Sequence, residues 1–222
     1  MTGSAEIVFF FDVDNTLIDN DRFLDDLRDQ LRAVCGERAC ARYWAIYEEL
    51  RGVLGYADYI GALERLRSED PRNPGVFRVA NWMLDYPFAD RLYPRALDVV
   101  RHVRQWGPAV ILSDGDAVFQ PRKIARSGLW DAFDGNVLIY VHKESELADV
   151  ERQHPAGHYA LIDDKARILA AVKAIWGDRL TTVFPRQGHY AREAAASSES
   201  GSADIAIDAI GDLLRYNLAA LK

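Results

Sequence analysis

The chain has 222 residues, enough for one large domain or for a core domain that carries a small insertion. Its residues are 49% hydrophobic and 27% charged, which is typical of a folded globular protein and argues against a disordered chain. The net charge of -7 at pH 7 disfavours nucleic acid or an anionic membrane as the main partner, although it permits a local basic site.

The cysteines and the N-terminal residues bear on the cellular compartment. Cys35 and Cys40 are the only cysteines and fall in a predicted helical region, so we expect reduced thiols and no disulfide framework. They lack the CxxC or His–Cys spacing of a zinc site. Residues 1–6 lack the basic segment of a secretory signal, and no apolar stretch reaches membrane-spanning length. These features predict a cytoplasmic protein without a membrane partner.

The first predicted element is a short apolar strand that ends in two acids. Residues 7–11 are Ile-Val-Phe-Phe-Phe, a run typical of a strand buried on both faces of a parallel sheet. Asp12, Asp14 and Thr16 follow it, where α/β proteins bind ligands. Neighbouring carboxylates repel unless a cation or a shared proton compensates, and Mg²⁺ prefers oxygen ligands. A polar capping turn is the alternative; an EF-hand calcium loop is excluded because Leu17 replaces its turn glycine.

The segment after this loop is predicted to be helical. It contains no strand-like run, and its apolar residues recur at helical spacing in four groups. Asn20 or Asp21 is the predicted cap of the first helix. Because four helices are more than one crossover connection needs, we predict a small all-helical domain over residues 19–93. The core domain would then consist of residues 1–18 and 94–222.

From residue 94 onward, short apolar strands alternate with helices. This alternation predicts an α/β fold with a Rossmann-like parallel sheet and helices on both faces. A closing helix is predicted over residues 210–221, and the small polar residues 194–202 are predicted to form a loop. The further predicted strands cover residues 109–112, 137–141, 159–162, 180–184 and 205–207.

Polar side chains follow four of the predicted strands at equivalent positions. Because the carboxyl ends of parallel strands meet at one edge of the sheet, we expect these side chains to form one site. Each of these side chains also has an ordinary structural explanation, since Ser and Asp often cap helices and most lysines are solvated at the surface. Their joint occurrence favours a site. They are Asp12 and Asp14 after the first strand, Ser113 after the second, Lys143 after the third, and Asp163 and Asp164 after the fourth.

These strand ends resemble the four motifs of the haloacid dehalogenase superfamily, whose members are mostly phosphatases. Residues 12–16, Asp-Val-Asp-Asn-Thr, resemble its first motif, DxDxT. Residues 111–113 resemble the second motif, an apolar strand that ends in Ser or Thr. Lys143 occupies the position of the third-motif lysine, and residues 163–164 resemble the acidic fourth motif. The helical segment resembles the cap domain that this family carries in its first insertion position.

The resemblance implies hydrolysis of a phosphomonoester through an aspartyl-phosphate. Asp12 is the implied nucleophile, and Asp14 is the implied general acid and base. The implied cofactor is Mg²⁺, held by Asp12, Asp164 and the backbone carbonyl of Asp14, with Asp163 as a further candidate ligand. The expected partner is a small phosphorylated metabolite. The sequence leaves open the identity of this metabolite and the oligomeric state of the protein.

Five further residues are implied to act on the substrate or on the general acid. Ser113 and Lys143 would bind phosphoryl oxygens, and backbone N–H groups of Asp114 and Gly115 would add donors. Thr16 would orient the general acid.

Several alternatives stay open. Lys143 lacks the proline that commonly follows the family's lysine, and Lys123 is a second candidate for the amine that contacts phosphate.

Cleavage of a 2-halo acid is the nearest alternative function, but it needs neither a metal nor an acid at the position of Asp14. A phosphomutase and a non-catalytic phospho-ligand-binding module are the others. Four residues after the fifth strand are candidates to border the site: Arg186, Gln187, His189 and Tyr190.

Overall fold

The computed structural model describes residues 4–197 and 203–222, which form an α/β fold around one parallel sheet. The order of the strands is β3-β2-β1-β4-β5-β6, and each neighbouring pair is parallel, which confirms the predicted fold class. The described strands are β1 (Ala5–Phe11), β2 (Ala109–Asp114), β3 (Val137–Tyr140), β4 (Ala156–Ile162), β5 (Leu180–Pro185) and β6 (Ile205–Ile207).

Ten α-helices accompany these strands in the described part of the chain. None of them combines the length and the apolar character that a membrane crossing requires. They are α1 (Asn20–Cys35), α2 (Glu37–Leu54), α3 (Tyr59–Glu69), α4 (Gly75–Asp85), α5 (Ala96–Val103), α6 (Phe119–Arg126), α7 (Leu129–Ala132), α8 (Leu147–Gln153), α9 (Ala166–Trp176) and α10 (Gly188–Ser197).

Strand β1 lies in the middle of the sheet and is buried on both faces. Ile7, Phe9 and Phe11 enter one hydrophobic cluster, whereas Val8 and Phe10 enter a second cluster on the opposite face. This division follows from the strand period of two, which points successive side chains to opposite faces. An apolar run without polar alternation therefore matches a central parallel strand, as predicted.

Helix α1 is capped one or two residues earlier than predicted. The side chain of Asp19 accepts a hydrogen bond from the backbone N–H of Arg22 at 3.0 Å and so caps the helix. The predicted caps, Asn20 and Asp21, are wrong because both lie inside the first turn. Their backbone N–H groups donate instead to Oδ1 of Asn15, at 3.1 and 3.2 Å.

The helical segment and the sheet share one hydrophobic cluster. The ring of Phe23 in α1 lies 5.1 Å from that of Phe88 and 5.6 Å from that of Phe119 in α6, measured between centroids. Tyr59 of α3 packs edge-on against Phe119 at 5.4 Å. The segment is therefore joined to the sheet layer by packed aromatic rings. Its assignment as a separate domain over residues 19–93 stays a prediction.

The closing segment differs from its prediction. Residues 210–221 do not form one α-helix, because the backbone is extended at Tyr216 and Asn217. The carbonyl of Tyr216 contacts Nε2 of His102 at 2.9 Å, and the Asn217 side chain caps the short turn that follows. The segment consists of two 3-10 helices, Ile210–Arg215 and Leu218–Ala220.

Helix α10 occupies part of the segment predicted as a loop. It starts at Gly188, where φ is +68° and a Cβ atom would lie 2.5 Å from Cβ of Asn15, so glycine permits this close approach. The helix continues to Ser197. The prediction of a loop over residues 194–202 is therefore wrong for its first four residues, and residues 198–202 lie outside the described chain.

Candidate active site

The loop after β1 folds back tightly at the edge of the sheet. The backbone N–H of Asp12 still donates to the carbonyl of Ile162 in β4, at 2.9 Å. The carbonyl of Val13 then accepts the N–H groups of Leu17 and Ile18, at 2.9 and 3.0 Å. The first acid thus lies at the carboxyl end of β1, directly beside the carboxyl end of β4.

Three carboxylates and one ammonium group form the buried centre of the site. Asp12, Asp163 and Asp164 each offer an oxygen within 4.8 Å of the others, and all three are buried. Nζ of the buried Lys143 lies 2.6 Å from Oδ1 of Asp12 and 2.6 Å from Oδ2 of Asp163. The structure therefore brings together predicted residues from three strand ends, including the first and fourth motifs.

The charges of this centre do not balance within the described chain. Burial raises the pKa of the Asp164 carboxyl well above its usual value, and the neighbouring Asp163 raises it further. Burial alone would lower the pKa of Lys143, but the attraction of Asp12 and Asp163 outweighs it and the pKa is raised. Two ammonium groups, those of Lys143 and Lys165, thus lie near three buried carboxylates, so the carboxylates outnumber the ammonium groups.

The unpaired oxygens of the cluster fit a divalent cation. Oδ2 of Asp12 and both carboxylate oxygens of Asp164 are buried and have no hydrogen-bond partner among the described residues. Such atoms cost free energy unless something compensates for their lost hydration. Mg²⁺ is a hard cation that prefers oxygen ligands, so Asp12 and Asp164 suit it. Asp163 pairs with Lys143 through Oδ2, as Asp12 does through Oδ1.

Asp14 is separate from the carboxylate cluster. Its Oδ1 accepts a hydrogen bond from Nζ of Lys123 at 2.7 Å, and its side chain is 24% exposed. Lys123 is fully buried. The two candidate lysines therefore have different partners, because Lys143 contacts the predicted nucleophile, Asp12, and Lys123 contacts the predicted general acid.

Thr16 and Ser113 lie at the site with partners that the sequence did not predict. Oγ1 of Thr16 accepts the backbone N–H of Asp164 at 3.1 Å, which ties the loop after β1 to the loop after β4. The expectation that Thr16 orients Asp14 stays a prediction. Oγ of the buried Ser113 accepts a hydrogen bond from Nε2 of Gln120 at 2.9 Å.

Asp114 and Gly115 support the site differently from the prediction. The backbone N–H of Gly115 donates to the carbonyl of Tyr140 at 3.0 Å, because the β2–β3 ladder extends beyond the strand end. The expectation that this N–H binds phosphate is therefore wrong for this conformation. Oδ1 of Asp114 accepts the backbone N–H of Lys143 at 2.8 Å and so holds the loop that carries the lysine.

A cavity of about 410 Å³ lies between the helical segment and the carboxyl edge of the sheet. Asp14, Asp114 and Lys165 line it on the sheet side, and Arg51 and Tyr59 line it on the helical side. Its volume falls in the range of small-molecule sites, about 300–1,000 Å³. The cavity therefore has room for a small substrate beside the predicted general acid.

Two features of this cavity had little or no signal in the sequence. Lys165 directly follows the fourth motif, and its pKa is raised because the nearby carboxylates outweigh the effect of burial. Its adjacency to Asp164 was the signal that could have revealed it. The ion pairs of Asp21 with His189 and Arg192, at 2.5 and 2.9 Å, join residues about 170 positions apart, so no local pattern marks them. Of the four residues named after the fifth strand, His189 and Tyr190 line the cavity, whereas Arg186 and Gln187 do not.

The fold and the site define an α/β protein with a buried acidic centre at the carboxyl edge of a parallel sheet. The family of haloacid dehalogenase-like hydrolases matches residues 8–184, so the chain belongs to that family and is an enzyme of the hydrolase class. No curated protein matches the chain.

Solved structures share this fold over nearly the whole chain. A haloacid dehalogenase-like hydrolase from Burkholderia xenovorans is 55% identical, with a TM-score of 0.92 over 97% of this chain and 98% of that chain. A haloacid dehalogenase-like family hydrolase from Xanthomonas campestris is 16% identical, with a TM-score of 0.69 over 97% and 91%. An L-2-haloacid dehalogenase from Xanthobacter autotrophicus is 18% identical, with a TM-score of 0.61 over 94% and 96%. At such low identity the last two show the fold alone.

Proposed function

We propose that this hydrolase is a Mg²⁺-dependent phosphatase that cleaves a small phosphomonoester through an aspartyl-phosphate. The observation that carries the proposal is the buried cluster of Asp12, Asp163 and Asp164, whose oxygens lie within 4.8 Å of one another. A divalent cation would stabilise such a cluster, and a phosphoryl substrate suits the same ion. Asp14, two residues after the proposed nucleophile, supplies the second acid that phosphoryl transfer requires.

In the first chemical step, a carboxylate oxygen of Asp12 attacks phosphorus. The P–O bond to the leaving group breaks, and Asp14 gives its proton to the leaving oxygen. Lys143 donates to Oδ1 of Asp12 at 2.6 Å and so fixes the orientation of this carboxylate. Lys143, which contacts Asp12, and Ser113, at the end of β2, would bind phosphoryl oxygens and neutralise developing charge.

In the second step, Asp14 takes a proton from water, and the water oxygen attacks the phosphorus of the aspartyl-phosphate. The bond between phosphorus and Asp12 breaks, which releases inorganic phosphate and restores the carboxylate. Mg²⁺, held by Asp12, Asp164 and the backbone carbonyl of Asp14, would supply positive charge that screens the nucleophile from the anionic substrate. Water must reach Asp14 in this step, and its exposed position at the cavity allows that.

Cleavage of a 2-halo acid is the competing function, because a relative with the same fold is an L-2-haloacid dehalogenase. That reaction also uses an aspartate nucleophile, but it needs no metal and no second acid. The unpaired oxygens of Asp12 and Asp164 and the position of Asp14 therefore favour phosphoryl chemistry.

The test measures two reactions of the purified protein side by side. Hydrolysis of p-nitrophenyl phosphate is followed with Mg²⁺ and with EDTA, and chloride release is followed from 2-chloropropionate. We expect Mg²⁺-dependent phosphate release, its loss in Asp12→Asn kept under conditions that prevent deamidation, and its retention in the exposed control Asp178→Asn. Chloride release without phosphate release, or near-normal hydrolysis by Asp12→Asn, would overturn the proposal. A panel of phosphorylated metabolites then identifies the substrate.

A further inference from the structure

Lys123 is a fully buried ammonium group at the junction of the helical segment and the sheet layer. Its Nζ donates hydrogen bonds to Oδ1 of Asp14 at 2.7 Å and to Oδ1 of Asn20 at 3.0 Å. Within the described chain, Asp14 is the one carboxylate at ion-pair distance from it. Burying an ammonium group costs several kcal/mol unless it is paired. Packing alone would be served by an apolar side chain, so the charge calls for another explanation.

Four aromatic rings surround this amine. The centroids of Tyr59 and Phe119 lie 5.6 Å from Nζ, that of Phe88 lies 5.7 Å away, and that of Phe23 lies 5.8 Å away. Rings at such distances attract the cation through their faces and exclude water from it. The four rings therefore fix the position of the Lys123 amine, and the direction of its hydrogen bonds is set by its two oxygen partners.

The second oxygen partner of the amine is itself held in place. Asn20 donates from Nδ2 to the hydroxyl of Tyr59 at 3.3 Å, and its backbone N–H donates to Oδ1 of Asn15 at 3.1 Å. The amide oxygen that accepts from Lys123 is thus fixed from two sides. The geometry of the contact between Lys123 and Asp14 is accordingly set by the fold and not by a mobile surface side chain.

Each acid of the first motif has a lysine of its own. Lys143 holds Oδ1 of Asp12 at 2.6 Å, and Lys123 holds Oδ1 of Asp14 at 2.7 Å. The two acids are only two residues apart, and separate anchors keep their carboxylates in different places. No described residue donates a hydrogen bond to Oδ2 of Asp14, and this acid lines the cavity. Anchoring one oxygen therefore presents the other to a substrate.

We propose that Lys123 is a positioning residue that holds the Asp14 carboxyl for proton transfer to the leaving group. This role rests on the proposed phosphatase function. A general acid contributes only when it is within hydrogen-bond reach of the leaving oxygen, and its usual contribution is about 10²–10⁴-fold. Without the hydrogen bond from Lys123, the Asp14 carboxyl would adopt that geometry less often, and the proton transfer would slow.

The test compares phosphate esters that have different leaving groups. A nitrophenolate leaves without protonation, whereas an alkoxide needs a proton, so a lost general acid affects alkyl phosphates far more than aryl phosphates. In saturating Mg²⁺, Lys123→Met should lower kcat/KM by about 10²-fold for an alkyl phosphate that the wild type hydrolyses. This ratio is compared because it reports the formation of the aspartyl-phosphate and not its later hydrolysis, in which Asp14 acts on both esters alike. For p-nitrophenyl phosphate we expect only a few-fold change. Lys173→Met, whose lysine pairs with Asp204 away from the site, is the matched control and should change neither rate.

A double-variant comparison separates positioning from general damage. If Lys123 acts through Asp14, then Lys123→Met adds no further loss of alkyl phosphate hydrolysis in the Asp14→Asn background. Equal losses of kcat/KM for both esters, or losses of kcat/KM that multiply in the double variant, would overturn this role while leaving the phosphatase function intact. Absence of wild-type hydrolysis of both esters would overturn both. If the Met variant fails to fold by near-UV circular dichroism, Lys123→Gln, whose shorter and uncharged side chain cannot form the ion pair with Asp14, provides the same comparison.

Discussion

Replacing Asp164 by asparagine should stabilise the metal-free protein and abolish its response to magnesium. Both oxygens of this carboxylate are buried without a hydrogen-bond partner among residues 4–197 and 203–222. Burial and the neighbouring Asp163 raise its pKa well above the usual value, so its charged form is unfavourable in the folded state. Asparagine has nearly the same shape and no charge. The substitution therefore relieves repulsion in the absence of the ion and removes an oxygen ligand in its presence.

The size of both effects follows from the burial and from the length of the chain. Protonation partly neutralises Asp164 in the folded wild type. Removing the remaining buried charge should therefore raise the unfolding free energy by about 1–2 kcal/mol. In a protein of this size, 1 kcal/mol shifts Tm by about 2–4 °C, so Tm in EDTA should rise by about 2–8 °C. A ligand at a hundred times its Kd stabilises by about 2.7 kcal/mol, so Mg²⁺ should raise the wild-type Tm by about 5–11 °C.

Thermal unfolding by circular dichroism, with EDTA and with a series of Mg²⁺ concentrations, measures both quantities. The exposed Asp178→Asn serves as the control and should behave like the wild type under both conditions. Two results would refute the reasoning: a lower Tm of Asp164→Asn in EDTA, or an undiminished rise of its Tm with Mg²⁺. The first would show that the carboxylate is well compensated by the protein itself, and the second that the ion binds elsewhere.

Lys143→Met should lower the unfolding free energy by about 3–5 kcal/mol in urea titrations without Mg²⁺, because it leaves the buried charges of Asp12 and Asp163 uncompensated; an unchanged midpoint would contradict the ion pairs described above. Although partial burial alone would raise the pKa of Asp21, hydrogen bonds led by that with His189 lower it from the usual 3.8 to about 2. A lowered pKa gives stability that is present above about pH 4 and is lost as the pH falls through 2. Asp21→Asn should therefore cost about 1 kcal/mol at pH 7, after allowance for solvent screening, and progressively less below pH 4. A cost that stayed constant down to pH 2 would contradict this pKa.

The helix and strand predictions succeeded where the signal is local. The apolar run of residues 7–11 predicted a doubly buried strand, and alternate side chains of β1 do enter two different clusters. The closing segment failed, because the contact between Tyr216 and His102 comes from a residue more than a hundred positions away. The first helix cap failed for a related reason, since Asn15 binds the two N–H groups that would otherwise have needed a cap.

The amino-acid sequence by itself determined which residues lie at the carboxyl edge of the sheet, because strand periodicity and parallel topology fix where each strand ends. It did not determine which lysine pairs with which aspartate. Lys143 is 131 positions from Asp12, and Lys123 is 109 positions from Asp14. Only the tertiary structure decided those pairings. The reason is physical: a buried ammonium group takes the carboxylate that packing brings within 3 Å, and that depends on how helices from distant parts of the chain meet the sheet.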